Sequence, residues 1–223
     1  LVTYTYQNIK PAWRIDIAIA KYEILEKGNN KIFYFPEDSV GAANVMQALT
    51  KTFDLYTKWW GELHDFQVFT VIEIPDGWGS QADVTSIIQT ASAFKDEKQL
   101  HQLYHEISHL WNVRLNDTFS PRWNEGLATF LEYLLVEKFE QREILDQVTE
   151  RIYNRLKETF QKNPQYKKIP FIEFGKENIT ELSYSMGMLM FQVFYNLVGE
   201  QEFNEIIGSF YQKYYQSGAT SNE

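Results

Sequence analysis

The pattern His-Glu-x-x-His is the feature that most constrains how this chain folds. It places His105, Glu106 and His109 in a stretch with helical periodicity. Residues four apart share one face of a helix, so both imidazoles can reach the same ion. The intervening glutamate points toward the open coordination position, where it can take a proton from a metal-bound water. A chance pattern on a solvated helix is the alternative, but with four histidines in the chain such a match is rare. The motif therefore predicts a peptide-hydrolysing metal centre.

A third ligand is expected because catalytic zinc usually takes three protein ligands. Glu125, in the segment Trp-Asn-Glu-Gly, follows His109 after fifteen intervening residues, and a returning helix can bring it to the metal. The alternative for Glu125 is a first-turn glutamate stabilised by the helix dipole. Glu132 lies on the same helical face and is suited to accept a hydrogen bond from a ligand imidazole. We predict one Zn²⁺ per chain, although this ligand set also suits cobalt or manganese.

Two further histidines need an interpretation. His101 precedes His105 by four residues, so a ligand set that includes His101 is geometrically possible. A surface imidazole in the first helical turn is the other interpretation. His64 has no evident role in the sequence.

The residues around these ligands resemble a known family. HEISHLW followed by WNEGLATFLEY is similar to the zinc signature of the alanyl aminopeptidases, which include aminopeptidase N and leukotriene hydrolase. The run SYSMG, with the two helices predicted after it, is similar to that family's Tyr-x-Lys-Gly motif. The resemblance spans about residues 4–215 and implies a gluzincin zinc metallopeptidase in which Tyr184 donates a hydrogen bond to the oxyanion. Packing of Tyr184 at the start of a helix is the structural alternative. The phrase His-Leu-Trp-Asn-Val-Arg is also similar to the glycyl aminopeptidases.

The chain departs from the alanyl aminopeptidase pattern in three places. The gap between His109 and Glu125 is shorter than usual, and Met186 stands where that family has lysine. The family's Gly-x-Met-Glu-Asn segment, whose glutamate holds the substrate amine, is expected near residues 77–81, which contain no acid. Backbone pairing with an extended peptide remains possible at a sheet edge there. The candidate substrate-binding residues are Gly77, Trp78 and Gly79, and the choice between exopeptidase and endopeptidase stays open.

The periodicities predict an α+β fold, and the resemblance implies a thermolysin-like catalytic domain. Runs rich in β-branched and aromatic residues predict strands at Val2 to Ile9, Ile15 to Ile24 and Phe66 to Ile74. Helical spacing predicts helices at Asn44 to Trp60, Glu97 to Val113, Arg122 to Phe139, Arg142 to Gln161, Tyr184 to Val198 and Gln201 to Tyr215. One short strand is expected near Ile169 to Phe174. A mixed part is thus followed by an all-α part, with the zinc helix between them.

We divide the chain accordingly. Residues 1–30 are expected to be the end of a preceding β region or the first strands of the catalytic domain. Residues 31–223 form the metallopeptidase domain, with an α/β subdomain at 31–113 that includes the zinc helix and a helical subdomain at 114–223.

Charge and composition limit the partners. The net charge of −9 disfavours nucleic acid and anionic membranes, and no apolar run approaches the roughly 20 residues that span a bilayer. The absence of cysteine excludes thiolate zinc sites and leaves the compartment open. Peptide substrates are the expected partners. Because the chain begins without methionine, further domains of the same polypeptide are expected too.

Two functional hypotheses result. In the first, the chain is an active zinc peptidase with Glu106 as general base. In the second, it is a catalytically impaired peptidase fold that binds peptides or proteins. The missing amine anchor and lysine favour the second hypothesis, whereas the intact Glu106 favours the first, because a binding module has no need of it.

Overall fold

A computed structural model describes residues 17–64, 68–83, 85–140 and 143–223. The predicted strand at Val2 to Ile9 lies outside the described residues. The five strands are β1 (Glu23–Lys27), β2 (Asn30–Tyr34), β3 (Phe69–Ile74), β4 (Gln81–Asp83) and β5 (Ser86–Thr90). The helices are α1 (Ser39–Trp60), α2 (Ser92–Lys95), α3 (His101–Ser108), α4 (Trp123–Glu140), α5 (Leu145–Lys162), α6 (Leu182–Val198) and α7 (Glu200–Tyr214).

The strands form one mixed sheet in the order β1-β2-β3-β5-β4. Strands β2, β3 and β5 run parallel, whereas β1 and β4 each pair antiparallel with their neighbour. The central strand β3 alternates between buried and half-buried side chains, so one face of the sheet covers the core. All later long elements are helices. The predicted α+β class is confirmed.

Helix α1 supports the sheet and the zinc helix together. Its buried residues Val45, Leu49, Tyr56 and Trp60 recur at helical spacing. Trp60 stacks on Tyr56 with ring centroids 4.5 Å apart, and Trp111, just after the second motif histidine, meets the Trp60 ring edge-on. The Trp111 indole also donates to the carbonyl of Gly61 at 2.9 Å. This aromatic cluster fixes the C-terminal end of the zinc helix against α1.

The predicted helix over 97–113 is shorter in the structure. A 3₁₀ turn at Glu97–Gln99 precedes α3, and a second 3₁₀ turn at His109–Trp111 follows it. The α-helix proper therefore has eight residues. The other long helices lie within a few residues of their predicted bounds, except that α1 begins five residues earlier, at Ser39, and that the predicted start at Arg142 lies outside the described residues.

Two strand predictions were wrong. Residues 17–22 are not in a strand, and β1 begins only at Glu23; Ile17 and Ile19 are exposed, so their β-branched side chains do not mark a buried strand. The expected strand near Ile169 to Phe174 is instead a 3₁₀ turn at Phe171–Glu173 that follows Pro170, which has no N–H to pair. Strands β4 and β5 were not predicted, because their short runs are rich in Ser, Gln, Asp and Thr.

Strand β1 pairs with β2 in the same sheet as the rest, with Leu25 opposite Ile32. This pairing joins residues 23–27 to the domain that we assigned to residues 31–223. The exact boundary at residue 30, and the division at 113, stay predictions. None of the described helices has the length and apolar content needed to cross a bilayer.

A buried acidic pair lies beneath the sheet. The side chain of Glu73 on β3 is fully buried, and its Oε2 accepts a hydrogen bond from the backbone N–H of Phe35 at 2.7 Å. Burial, together with the neighbouring carboxylate of Asp38, raises the pKa of Glu73 to about 8 against the opposing effect of the Phe35 hydrogen bond. Lys95 lies 3.9 Å from Asp38.

This pair makes stability depend on pH. A carboxyl group whose pKa is raised on folding contributes stability that is complete below its unfolded pKa of 4.5 and is lost as the pH rises toward about 8. We expect Glu73→Gln to flatten the decline in the free energy of unfolding between pH 5 and 8, since Gln retains the acceptor for Phe35. Urea denaturation of parent and variant at several pH values measures this. The exposed neighbour Glu37, changed to Gln, serves as control; equal slopes for the parent and Glu73→Gln would contradict the assignment.

Candidate metal centre

The two motif histidines and Glu125 meet at one point. Oε2 of Glu125 lies 3.4 Å from Nε2 of His105 and 3.3 Å from Nε2 of His109. Among the described residues, these three form the group of possible ligands whose donor atoms all lie within 4.8 Å of one another. Ligands bound about 2.0–2.1 Å from one tetrahedral zinc lie about 3.3–3.4 Å apart, so the observed spacing fits such an ion.

Glycines bring α4 and α6 together behind the site. A Cβ atom on Gly126 would lie 2.4 Å from Cα of Gly187, and a Cβ on Gly187 would lie 2.7 Å from Cα of Gly126. Gly126 directly follows Glu125, and Gly187 lies three residues after Tyr184. The close approach of the two helices therefore brings Glu125 and Tyr184 to the same side of the metal position.

Both imidazoles are held by their outer nitrogens. Nδ1 of His105 lies 3.1 Å from Oε2 of Glu132, and the side-chain amide of Asn112 lies 2.6 Å from Nδ1 of His109. Partners of this kind orient ligand imidazoles and fix their tautomers. The inner Nε2 atoms consequently face Glu125. Glu132 contacts His105, and its role as the partner of a ligand imidazole stays a prediction.

His101 lies away from the metal position. Its Nδ1 is 2.5 Å from Oε1 of Glu132, so Glu132 bridges His101 and His105. The group of close donor atoms does not include His101. The geometry therefore gives no support to the alternative ligand set with His101.

The electrostatics of the site favour a cation. Burial alone would raise the pKa of Glu125, but hydrogen bonds from His105 and His109 lower it well below the ordinary range. Glu132 follows the same pattern: burial opposes ionisation, and the imidazoles of His101 and His105 lower its pKa. Two ionised, largely buried carboxylates need positive charge beside them; Glu125 and Glu132 raise the pKa of His105 to about 10 against the effect of burial, so a protonated His105 supplies that charge, and a bound divalent cation would supply it instead.

Glu106 lies between the metal position and the edge strand β4. Its side chain is buried, and its Oε2 accepts a hydrogen bond from the backbone N–H of Ala82 at 2.7 Å. Burial raises the pKa of Glu106, although His105, His109 and the Ala82 N–H act in the opposite direction. A carboxylate with a raised pKa is a better proton acceptor than an exposed one.

Tyr184 lies on the opposite side of the metal position, in the first turn of α6. Its ring is parallel to that of His105, with centroids 6.4 Å apart. Burial and the charge of Glu125 raise the pKa of Tyr184 to about 12, so the phenol is protonated near neutral pH. The hydroxyl oxygen accepts a hydrogen bond from Nη2 of Arg122 at 3.0 Å.

Arg122 is a site residue that our sequence reasoning missed. Its Nη2 donates to Oε1 of Glu125 at 2.8 Å as well as to Tyr184. The available signal was its position directly before the Trp-Asn-Glu-Gly segment. An arginine at the start of a predicted helix has no distinctive spacing, so periodicity alone did not reveal it.

A cavity of about 990 Å³ opens over these groups. It is lined by Ser80 to Asp83 on one side and by Arg122 and Tyr184 on another. Its far wall includes His64, whose ring stacks on Tyr215 with centroids 3.7 Å apart. The cleft is thus bordered by β4, the candidate metal ligands and α7.

Gly77, Trp78 and Gly79 do not line this main cavity. They lie in the turn before β4, along a smaller cavity of about 450 Å³, and Trp78 is 73% exposed. The sheet edge next to the metal position is β4 itself, at Gln81–Asp83. Because His105 and Glu106 also line the smaller cavity, a substrate-binding role for Gly77, Trp78 and Gly79 stays a prediction, although the strand edge itself begins two residues later.

A mixed sheet over a helix with His-Glu-x-x-His, and a glutamate supplied by the next long helix, define a metallopeptidase fold of the gluzincin class. Comparison with family models matches residues 81–223 to the Peptidase family M1 domain. The chain belongs to peptidase family M1.

Comparisons with curated proteins and with solved structures also find proteins that are named as M1 enzymes. The rice (Oryza sativa subsp. japonica) protein Aminopeptidase M1-D is 20% identical over 248 residues, covering all of this chain and 28% of the relative. A crystal structure of an M1 zinc metallopeptidase from Deinococcus radiodurans matches with a TM-score of 0.62 and 18% identity, over 86% of this chain and 42% of that one. A mutant of that enzyme bound to a Tyr-Ser-Ala substrate matches with a TM-score of 0.58 and 18% identity, over 90% of this chain and 45% of that one. The chain thus spans less than half the length of these relatives.

The glycine contact generates a prediction. Gly187→Ala would force backbone atoms of α4 and α6 apart, because the new Cβ would lie 2.7 Å from Cα of Gly126. Overpacking of this kind costs about 1–3 kcal/mol, which exceeds the helix-propensity gain of roughly 0.5–1 kcal/mol from Gly to Ala. We expect lower stability in urea denaturation and weaker zinc binding. Ser185→Ala on the same helix is the control; a Gly187→Ala protein as stable as this control would refute the packing argument.

Proposed function

We propose that this chain is the catalytic domain of a zinc-dependent peptidase with aminopeptidase-like activity. The observation that carries the proposal is the convergence of His105, His109 and Glu125 within 4.8 Å, with the buried carboxylate of Glu106 beside them. The names of the rice aminopeptidase and the Deinococcus zinc metallopeptidase support the same reaction class. Family membership makes a metal-assisted hydrolysis the expected chemistry.

His105, His109 and Glu125 would hold the ion. Two imidazoles and one carboxylate are a usual ligand set for catalytic zinc, with one position left for water or substrate. When bound, zinc supplies Lewis acidity, which polarises a carbonyl group and makes water more acidic. Glu132 and Asn112 would keep the two imidazoles in the required orientation.

Glu106 would move the proton. Its Oε2 is held by the N–H of Ala82, and its burial makes the carboxylate more basic. We propose that Glu106 takes a proton from the attacking water and passes it to the amine nitrogen that leaves. A fixed carboxylate can do both, because the two steps occur on the same side of the scissile bond.

Tyr184 would stabilise the negative charge that develops on the substrate carbonyl oxygen. Its phenol lines the cavity and keeps its proton, since its pKa is about 12. A donor already in place when the charge appears stabilises the transition state more than the ground state.

The edge strand β4 offers a docking edge for an extended peptide. It is the last strand of the sheet in the described residues, and its main-chain groups border the main cavity. Peptides commonly add to such an edge through backbone hydrogen bonds. Asp83 ends β4 and lines the same cavity, where Arg122 is the one Lys or Arg among the lining residues that the structure describes. We propose that the carboxylate of Asp83 makes this end of the cleft favour a free ammonium group, since Glu106 and Glu125 are engaged at the metal position.

Metal content and turnover test the mechanism together. We expect about one zinc per chain in the parent and in Glu106→Gln, and none in His105→Ala, measured by mass spectrometry of metal content. Glu106→Gln keeps the acceptor for Ala82 and should lower kcat by about 10²–10⁴-fold, the usual contribution of general acid–base catalysis. Glu177→Gln, an exposed glutamate outside the cleft, is the matched control. Turnover by Glu106→Gln at the parent rate would rule out this role.

The end-specificity is tested with paired peptides. We expect a peptide with a free amino terminus to be cleaved with higher kcat/KM than the same peptide with an acetylated terminus. Asp83→Asn should reduce the difference by raising KM for the free-amine peptide only. Equal cleavage of both peptides would indicate an endopeptidase. Saturable binding without cleavage of either peptide would favour the binding module instead.

A further inference from the structure

Arg122 has a backbone conformation that side chains rarely adopt. Its φ is 54°, in the left-handed region, and Asn178 is the other non-glycine residue with positive φ in the described part of the chain. The left-handed region is sterically unfavourable for arginine and much less so for asparagine. Such conformations persist where the surroundings force them, and they concentrate at functional sites.

Three hydrogen bonds hold this turn. The N–H of Arg122 donates to Oγ of Ser120 at 3.0 Å, and its carbonyl accepts from the N–H of Glu125 at 3.1 Å. The hydroxyl of Ser183 donates to the carbonyl of Pro121. The turn is therefore tied to the start of α4 and to α6, the two helices that carry Glu125 and Tyr184.

The conformation directs the guanidinium to two acceptors at once. Nη2 of Arg122 is 2.8 Å from Oε1 of Glu125 and 3.0 Å from the hydroxyl of Tyr184. Oε2 of Glu125 is the oxygen that faces both imidazoles. Arg122 thus occupies the carboxylate oxygen that does not face the metal position.

We propose that Arg122 is a positioning residue that sets Glu125 and Tyr184 for their roles in the proposed peptidase reaction. By holding Oε1, it keeps Glu125 from rotating and presents Oε2 alone to the metal. By donating to the phenol oxygen, it holds the Tyr184 hydroxyl at the cavity wall beside Glu125, to which this hydroxyl is also hydrogen-bonded. The inference rests on the proposed function, but its first part concerns metal binding and is testable without a substrate.

An ordinary surface ion pair does not explain these contacts. Nη1 of Arg122 reaches the exposed Glu181 only at 3.9 Å, and exposed pairs contribute little. The guanidinium is instead 5.4 Å from the centroid of the Tyr184 ring and lines the main cavity. Met186 stands where the resembling family has lysine, so Arg122 is the cation that the described cleft offers near Tyr184.

Zinc affinity is the first measurement. In a chelator-competition assay, Arg122→Met keeps an unbranched apolar stem but loses both hydrogen bonds, and we expect its zinc affinity to fall by 10–100-fold, the usual effect of removing a group that orients a ligand. Arg122→Lys should recover only part of this, since an ammonium cannot reproduce the planar guanidinium. Zinc affinity of Arg122→Met equal to that of the parent would overturn the proposal, whether or not the parent cleaves peptides.

A glycine substitution separates the effect of the Arg122 guanidinium from the effect of its backbone conformation. Arg122→Gly removes the guanidinium but suits the left-handed conformation, so we expect weaker zinc binding without a loss of thermal stability. Asn178→Gly makes the same backbone change at a residue that does not line the main cavity, and it should bind zinc as the parent does. Loss of folding in Arg122→Gly, or equal zinc affinity of the two glycine variants, would contradict the assignment.

A double-mutant cycle tests the action through Tyr184. Tyr184→Phe should lower kcat by about 10²–10³-fold, as expected for loss of one oxyanion donor. If Arg122 acts through this phenol, Arg122→Met should lower kcat much less in the Tyr184→Phe background than in the parent. Equal effects in both backgrounds would show that Arg122 does not act through Tyr184. A zinc-loaded parent that cleaves no peptide would instead count against the proposed function, and the zinc affinities would still decide the role of Arg122 toward Glu125.

Discussion

The metal site depends on how a very short helix is held in place. Helix α3 has eight residues, fewer than an isolated helix needs for stability in water. It contacts α1, α4, β4 and β5, and its buried residues Leu103, Tyr104 and Ile107 face that packing. The positions of His105 and His109 are therefore set by tertiary contacts. This is why the aromatic cluster of Tyr56, Trp60 and Trp111 matters for the site although it touches no ligand.

The candidate site also depends on side chains that two other helices, α4 and α6, place beside the histidines of α3. Glu125 and Glu132 both belong to α4: Glu125 faces the inner Nε2 atom of His105, and Glu132 faces its outer Nδ1 atom. Tyr184 belongs to α6, which approaches α4 most closely at Gly126 and Gly187. Without a Cβ at this crossing, the two helices come near enough for one guanidinium to contact residues from both. The glycines that follow Glu125 and Tyr184 in the sequence are explained by this contact.

The sequence predicted which residues meet at the candidate site better than it predicted the strands and turns around them. The spacing of His105, Glu106 and His109 was enough to place both imidazoles on one face, because helical geometry is local. Glu125 required a guess about a returning helix, and Tyr184 required a family resemblance. Strand β4 was missed, since three residues of mixed polarity carry no periodic signal, and the substrate edge was consequently expected at Gly77 to Gly79. Arg122 was missed for a similar reason: its role depends on a left-handed backbone that no sequence pattern indicated.

Two departures from the alanyl aminopeptidase pattern, Met186 and the shorter loop before Glu125, both affect the balance of charge at the site. Glu106, Glu125 and Glu132 surround two imidazoles, and a bound divalent cation offsets only part of that charge. The position where the family has lysine holds Met186, which removes one cation from α6. Arg122 lies just before α4 and contacts both Glu125 and Tyr184. Its positive charge compensates for the cation that is missing at Met186. The shorter connection between His109 and Glu125 ends in that residue, so the change of loop length and the change of cation occur in one segment of the chain. A cation on the loop rather than on α6 connects the candidate metal ligand Glu125 directly to the phenol of Tyr184 through two hydrogen bonds.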